Sequence, residues 1–170
     1  MRATVFRLPA LAALSAALLL TSCSDGGSDE GGDATAACAL GRMDVRVGPA
    51  NAAPAAGDTG NVPVTLTNTG PECTLDGLPA VTLKAGDTSA EVSPDPAATA
   101  RKLTLAEGGS LSFTVTYARG EGDQSLAAKT AEFTLPGADT TEDFPWSYGD
   151  VALKGGKPDA TVSGFLPTGD

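Results

Sequence analysis

The chain contains no histidine. That removes the most frequent general base and the most frequent transition-metal ligand, and with them any Ser-His-Asp or Cys-His nucleophilic arrangement. Methionine is nearly absent: there are two, and Met43 is the one outside the N-terminal leader, which excludes a methionine-rich copper site. Aromatics make up 5% of the chain, so a core must be built mainly from Val, Leu and Ala. Eleven basic residues face 21 acidic ones. The resulting net charge of −10 repels phosphate backbones and argues against nucleic acid as a partner. The longest apolar run, Leu8 to Thr21, falls short of the ~20 residues a spanning helix needs.

What is present first is an address. Arg2 and Arg7 precede that apolar run, as in a secretory signal peptide, predicted here over residues 1–22. The run ends Leu20-Thr21-Ser22-Cys23, which resembles a bacterial lipobox. Its chemistry needs a thiol directly after the cut, because that sulfur takes the diacylglyceryl group. Cys23 is therefore the expected lipidation site; ordinary secretion with a free Cys23 is the alternative, and would leave an exposed thiol in an oxidising compartment. One acyl chain binds a membrane marginally, whereas two chains of the palmitate class anchor it stably. Cleavage after Ser22 also removes Arg2 and Arg7, so 9 basic residues face the same 21 acids and the net charge falls to −12. Residues 23–37 read as the anchor and a flexible acidic Gly/Ser tether, its 14 residues after Cys23 spanning about 20 Å as a coil. Asp25, Asp29, Glu30 and Asp33 match no calcium-loop spacing and read as solvated linker. The expected location is the outer face of the cell membrane.

With Cys23 assigned to lipid, Cys38 and Cys73 remain as an even pair, and a disulfide between them is predicted. It would close a loop of about 36 residues and stabilise the fold by roughly 3–4 kcal/mol. A two-cysteine metal site lacks further ligands of the right type, so no metal and no cofactor is assigned.

Residues 38–170 read as one domain of short strands, punctuated by most of the chain's 21 glycines and 12 prolines. Met43, Val45 and Val47 alternate with polar residues, as do Val62, Val64 and Leu66. Pro63 is expected near a strand start or on an edge, since proline donates nothing to a ladder. Val81 with Leu83, Leu103 with Leu105, and Phe133 with Leu135 give further strands. The clearest is Leu111, Phe113, Val115 and Tyr117, alternating with Ser112, Thr114 and Thr116. Gly48 to Gly60 reads as a loop. Arg119 to Lys129 does too, with one helical turn admissible over Ser125–Lys129. Val151 with Leu153, and Val162 with Phe165, are weaker strand candidates. The pattern predicts an all-β antiparallel sandwich, with a closed barrel as the alternative.

The run Asn68-Thr-Gly-Pro-Glu-Cys-Thr-Leu-Asp-Gly-Leu-Pro79 resembles the signature of the domain of unknown function 4232, a family found mostly in secreted proteins and lipoproteins of high-GC Gram-positive bacteria, the actinobacterial group. Asn68, Gly70, Cys73, Leu75, Gly77, Leu78 and Pro79 stand at the signature's places. Cys38 matches the family's earlier cysteine, and Glu107-Gly108-Gly109 its turn before the long strand. The resemblance covers about residues 38 to 135 well; the later cysteine pair of many members is missing here. It implies an antiparallel immunoglobulin-like β-sandwich and lends no activity.

Chemistry is sparse. Ser125 and Lys129 are four apart where the serine acyl-transfer motif needs three. No pair of carboxylates is singled out for glycoside chemistry. Trp146 and Tyr148, within Phe144-Pro-Trp-Ser-Tyr148 and ringed by Glu142, Asp143 and Asp150, are the candidate residues for binding a sugar or a cationic ligand, although such a pair more often caps one end of a sandwich core. Asp139, Glu142 and Asp143 are candidates for calcium between loops. The expectation is a non-enzymatic envelope lipoprotein, a binding module for an unidentified envelope protein or small ligand. An accessory subunit of an envelope complex and an envelope hydrolase are the alternatives. Function is expected in the loops Arg119–Lys129 and Asp139–Asp150.

Overall fold

The computed structural model describes residues 35–168. The predicted signal peptide, Cys23 and the tether through residue 34 lie outside the described residues. The chain is all-β, and its strands pair mostly antiparallel. In order they are β1 (Met43–Val47), β2 (Thr59–Asn68), β3 (Cys73–Gly77), β4 (Ala80–Ala85), β5 (Thr88–Pro94), β6 (Arg101–Leu105) and β7 (Ser110–Ala118). The later ones are β8 (Ser125–Leu126), β9 (Thr130–Thr134), β10 (Thr141–Pro145), β11 (Val151–Lys154), β12 (Lys157–Pro158), β13 (Ala160–Val162) and β14 (Leu166–Thr168). The main sheet runs β1-β2-β7-β13-β5-β4-β9-β10, with β14 also against β7. β3 pairs with β6, and β11 lies between β12 and β8.

The long β2–β7 pair follows directly from the alternation. Val62, Val64 and Leu66 stand opposite Val115, Phe113 and Leu111, and all six are buried. Their outward neighbours Asn61, Thr65, Thr67, Ser110, Ser112, Thr114 and Thr116 are polar and half-buried. Phe113 of β7 meets Phe133 of β9 with ring centroids 5.3 Å apart. These strands are not sheet neighbours, so the sheet turns back and two of its stretches face each other across one core.

Pro63 departs from expectation: it is the fifth residue of a ten-residue internal strand. Its carbonyl accepts the Gly48 N–H at 2.8 Å, so its nitrogen points to the same side, towards β1. The β1 ladder ends at Val47–Val64, so the missing donor falls just past the last rung. Two further differences concern segments without a strong apolar pattern. The helical turn admitted at Ser125–Lys129 is absent; Ser125–Leu126 is instead the strand β8, after a single 3₁₀ turn at Gly122–Gln124. β5 and β10 were not anticipated, because each buries one large side chain, Val92 and Phe144.

One pole of β2 and β7 is locked by the signature run. Cys38 and Cys73 form the disulfide, Cα atoms 4.9 Å apart. The chain runs alongside β3 before Cys38: Thr74 donates its N–H to Ala36 O at 2.8 Å and accepts from Cys38 N at 2.9 Å, so Thr35–Ala37, read from composition as tether, belong to the ordered domain. Asn68 is the buried polar side chain of the described core. Its Nδ2 donates to Pro71 O (2.9 Å), Leu105 O (3.1 Å) and Ala106 O (3.3 Å), and its Oδ1 accepts from Gly70 N at 3.0 Å. That side chain joins the 68–73 turn to the 105–109 turn.

Candidate functional site

The opposite pole carries the segments 51–58, 119–124 and 148–150, and aromatic side chains fix it from below. Tyr117, near the end of β7, is buried, and it lies over Gly60 of β2. A Cβ at Gly60 would fall 2.6 Å from Tyr117 Cζ and 2.8 Å from Ala53 N, so this ring needs a glycine opposite it. The Tyr117 hydroxyl donates to Tyr148 O at 2.6 Å and accepts from Ala53 N at 3.2 Å. Trp146 packs edge-on against Tyr117 (5.0 Å) and against Tyr148 (5.1 Å), and its Nε1 donates to Gly149 O at 2.8 Å. Burial, with Tyr117 beside it, raises the Tyr148 phenol above its ordinary value.

Of the two readings of this pair, the capping of one end of the core is the one that burial favours. Trp146 and Tyr148 do come together, but Trp146 is 4% exposed. A stacking platform needs an open ring face, and the Trp146 ring has core neighbours instead; it is the floor under the loops. Tyr148 is half-buried against the same core.

Above this floor lies a cleft of about 430 Å³, lined by Ala55, Ala56, Arg119, Glu121, Gly149 and Asp150 among others. Arg119 is its fixed point. Its backbone N–H donates to Asp58 O, its carbonyl accepts from Gly57 N, and its Nη1 donates to Ala53 O at 2.9 Å. Gly149 has φ 92°, and a Cβ there would stand 2.9 Å from Arg119 Cζ and Nε, so both conformation and space demand glycine. Gly120 donates to Asp150 O at 2.9 Å and closes the back wall. Arg119, Ala55 and Gly149 were not singled out from sequence individually. The available signal was an arginine–glycine pair ending the strongest strand and a glycine directly after the aromatic cluster.

The remaining candidates lie elsewhere. Cys38 and Cys73 occupy the far pole, and Cys23 is outside the described residues. Among the described residues no three acidic or cysteine side chains gather as a metal site, so Asp139, Glu142 and Asp143 form no calcium cluster. Asp143 sits opposite Glu132 on the β9–β10 pair, beside Lys84, whose Nζ meets Glu132 Oε2 at 2.7 Å. The hydrogen bond from Lys84 holds the Glu132 carboxyl below its ordinary 4.5, and the same bond raises Lys84 above 10.5.

These features define an all-β domain pinned by one disulfide at one pole and by an aromatic cluster at the other. Residues 38–165 match the family model described as Domain of unknown function (DUF4232), and the chain belongs to that family. A comparison with curated proteins finds no match.

Proposed function

We propose that the chain is a non-enzymatic lipoprotein, held on the outer face of the cell membrane by lipid on Cys23, whose domain is an immunoglobulin-like sandwich that offers the Arg119 cleft to a ligand. The observation that carries this reading is polarity. The chain joins its domain at the Cys38–Cys73 pole, while the cleft opens at the other end of β7, nine residues and about 30 Å away. A domain tethered at one pole leaves the other accessible. Two stretches of sheet facing across a shared core, through Phe113 and Phe133, support the sandwich. The Leu20–Cys23 motif supports the anchor.

Mass spectrometry of the protein purified from membranes tests the anchor. The expected result is a mature chain starting at Cys23 with a diacylglyceryl-sized adduct there; an unmodified thiol at Cys23 rejects it. Incubation of the same material with envelope extract tests the binding role, and saturable retention of an envelope component is expected.

A further inference from the structure

We propose that the Arg119 cleft binds small zwitterions, free amino acids or short peptides that carry both an ammonium and a carboxylate group. This assignment rests on the reading of the domain as a binding module and names its ligand class.

The cleft holds charges of both signs that do not neutralise each other. Arg119 has five N–H donors, and the side-chain bond it makes is the one from Nη1 to Ala53 O. The ion pairs among the described residues are Arg46–Asp44 and Lys84–Glu132, so Arg119 has no carboxylate within 4.0 Å although Glu121 and Asp150 line the same cleft. The guanidinium is already immobilised by Ala53 and the Gly149 backbone, so little of its rotamer freedom remains to be lost when a ligand arrives.

Charge then selects the ligand. A plain anion would suit Arg119 but would meet Glu121 and Asp150 on a chain of net charge −10. A plain cation would meet the guanidinium. A molecule with a carboxylate at one end and an ammonium at the other satisfies both, with charge-assisted hydrogen bonds at each end. Volume sets the size: about 430 Å³ is at the small end for ligand sites. The wall residues Ala55, Ala56 and Gly149 leave room for short side chains.

Titration calorimetry of the membrane-extracted full chain with alanylalanine tests the assignment, against its N-acetyl and C-amide forms. Saturable binding of alanylalanine is expected, weakened about tenfold or more by blocking either end, the scale of one lost charge-assisted contact. Arg119→Gln, which removes the cation, should abolish the penalty for amidation. Because Arg119 also holds Ala53, a second variant, Glu121→Gln with Asp150→Asn, keeps the test open; neither carboxylate makes a side-chain hydrogen bond among the described residues. It should leave thermal stability unchanged and abolish the penalty for N-acetylation. Absence of alanylalanine binding, or equal binding of the blocked forms, overturns the ligand class. Saturable retention of envelope material by the same preparation would then show that the binding role stands without it, and loss of both would reject the binding role as well.

Discussion

Replacing Asn68 tests the lock at the disulfide pole most directly. Nδ2 carries two hydrogens and faces three carbonyl oxygens at 2.9, 3.1 and 3.3 Å, so two bonds are well made and a hydrogen is shared with the third. Oδ1 holds the Gly70 N–H at 3.0 Å. Neutral hydrogen bonds contribute about 1 kcal/mol each, and a buried group left without its partner costs about 1–3 kcal/mol. Asn68→Ala orphans Leu105 O and the Gly70 N–H together, which sums to roughly 2–6 kcal/mol, a large share of the about 5–15 kcal/mol typical of a domain. Urea unfolding with the disulfide intact should show a lower midpoint at unchanged slope. Asn68→Asp sharpens the test. Its new carboxylate would face three carbonyl oxygens, so folding raises its proton affinity. The folded state then binds more protons than the unfolded one, and the deficit relative to wild type shrinks as pH falls from 7 to 4. A loss under ~0.5 kcal/mol for Asn68→Ala, or a pH-independent deficit for Asn68→Asp, would refute this account of the pole.

Trp146→Ala removes a buried indole and both of its edge-on contacts, and should cost about 3–5 kcal/mol in thermal or urea unfolding; an unchanged melting temperature would contradict its place in the core. Reduction of Cys38–Cys73, or its replacement by two serines, should remove roughly 3–4 kcal/mol, and non-reducing peptide mapping should link the two cysteines. Glu132→Gln should separate from wild type only in one pH range. The lowered Glu132 carboxyl contributes stability that is present above pH 4.5 and lost as pH falls through its folded value, so the two melting curves should converge in acid. The pair is partly exposed, so the difference at neutral pH should be small and should shrink with added salt.

Strands with several large apolar side chains at period two were legible in the sequence. β7 was readable because Leu111, Phe113, Val115 and Tyr117 all point inward, and β2 because Val62, Val64 and Leu66 do. β5 was not, since seven residues bury only Val92. Its signal was conformational: Gly86-Asp87 forms a two-residue turn with Gly86 at φ 59°, between the paired residues Ala85 and Thr88. β10 escaped because it is an edge strand, with Glu142 and Asp143 where a central strand would carry apolar residues. The cleft was the least legible feature. Its walls come from residues 54–56, 119–121 and 149–150, and no local pattern connects those three stretches. Asn68 read as a turn former; its role as a buried hub depends on carbonyls 37 and 38 residues away.

The two poles solve one problem with different chemistry, and the difference bears on the cleft. At the disulfide pole, Asn68 and Cys73 fix turn to turn through their own side chains, so those positions tolerate little change. At the cleft pole the segments lining the cleft are held mainly through their backbones. Tyr117 reaches Tyr148 O and Ala53 N, Trp146 reaches Gly149 O, and Arg119 reaches Ala53 O. Such an arrangement specifies where the backbone goes and leaves the outward side chains of Ala55, Ala56, Glu121 and Asp150 structurally uncommitted. Gly149 is the exception, because Arg119 occupies the place of its Cβ. Two aromatic side chains beneath the loops thus fix a rim whose outward residues can differ without disturbing the core, as the proposed binding role would require.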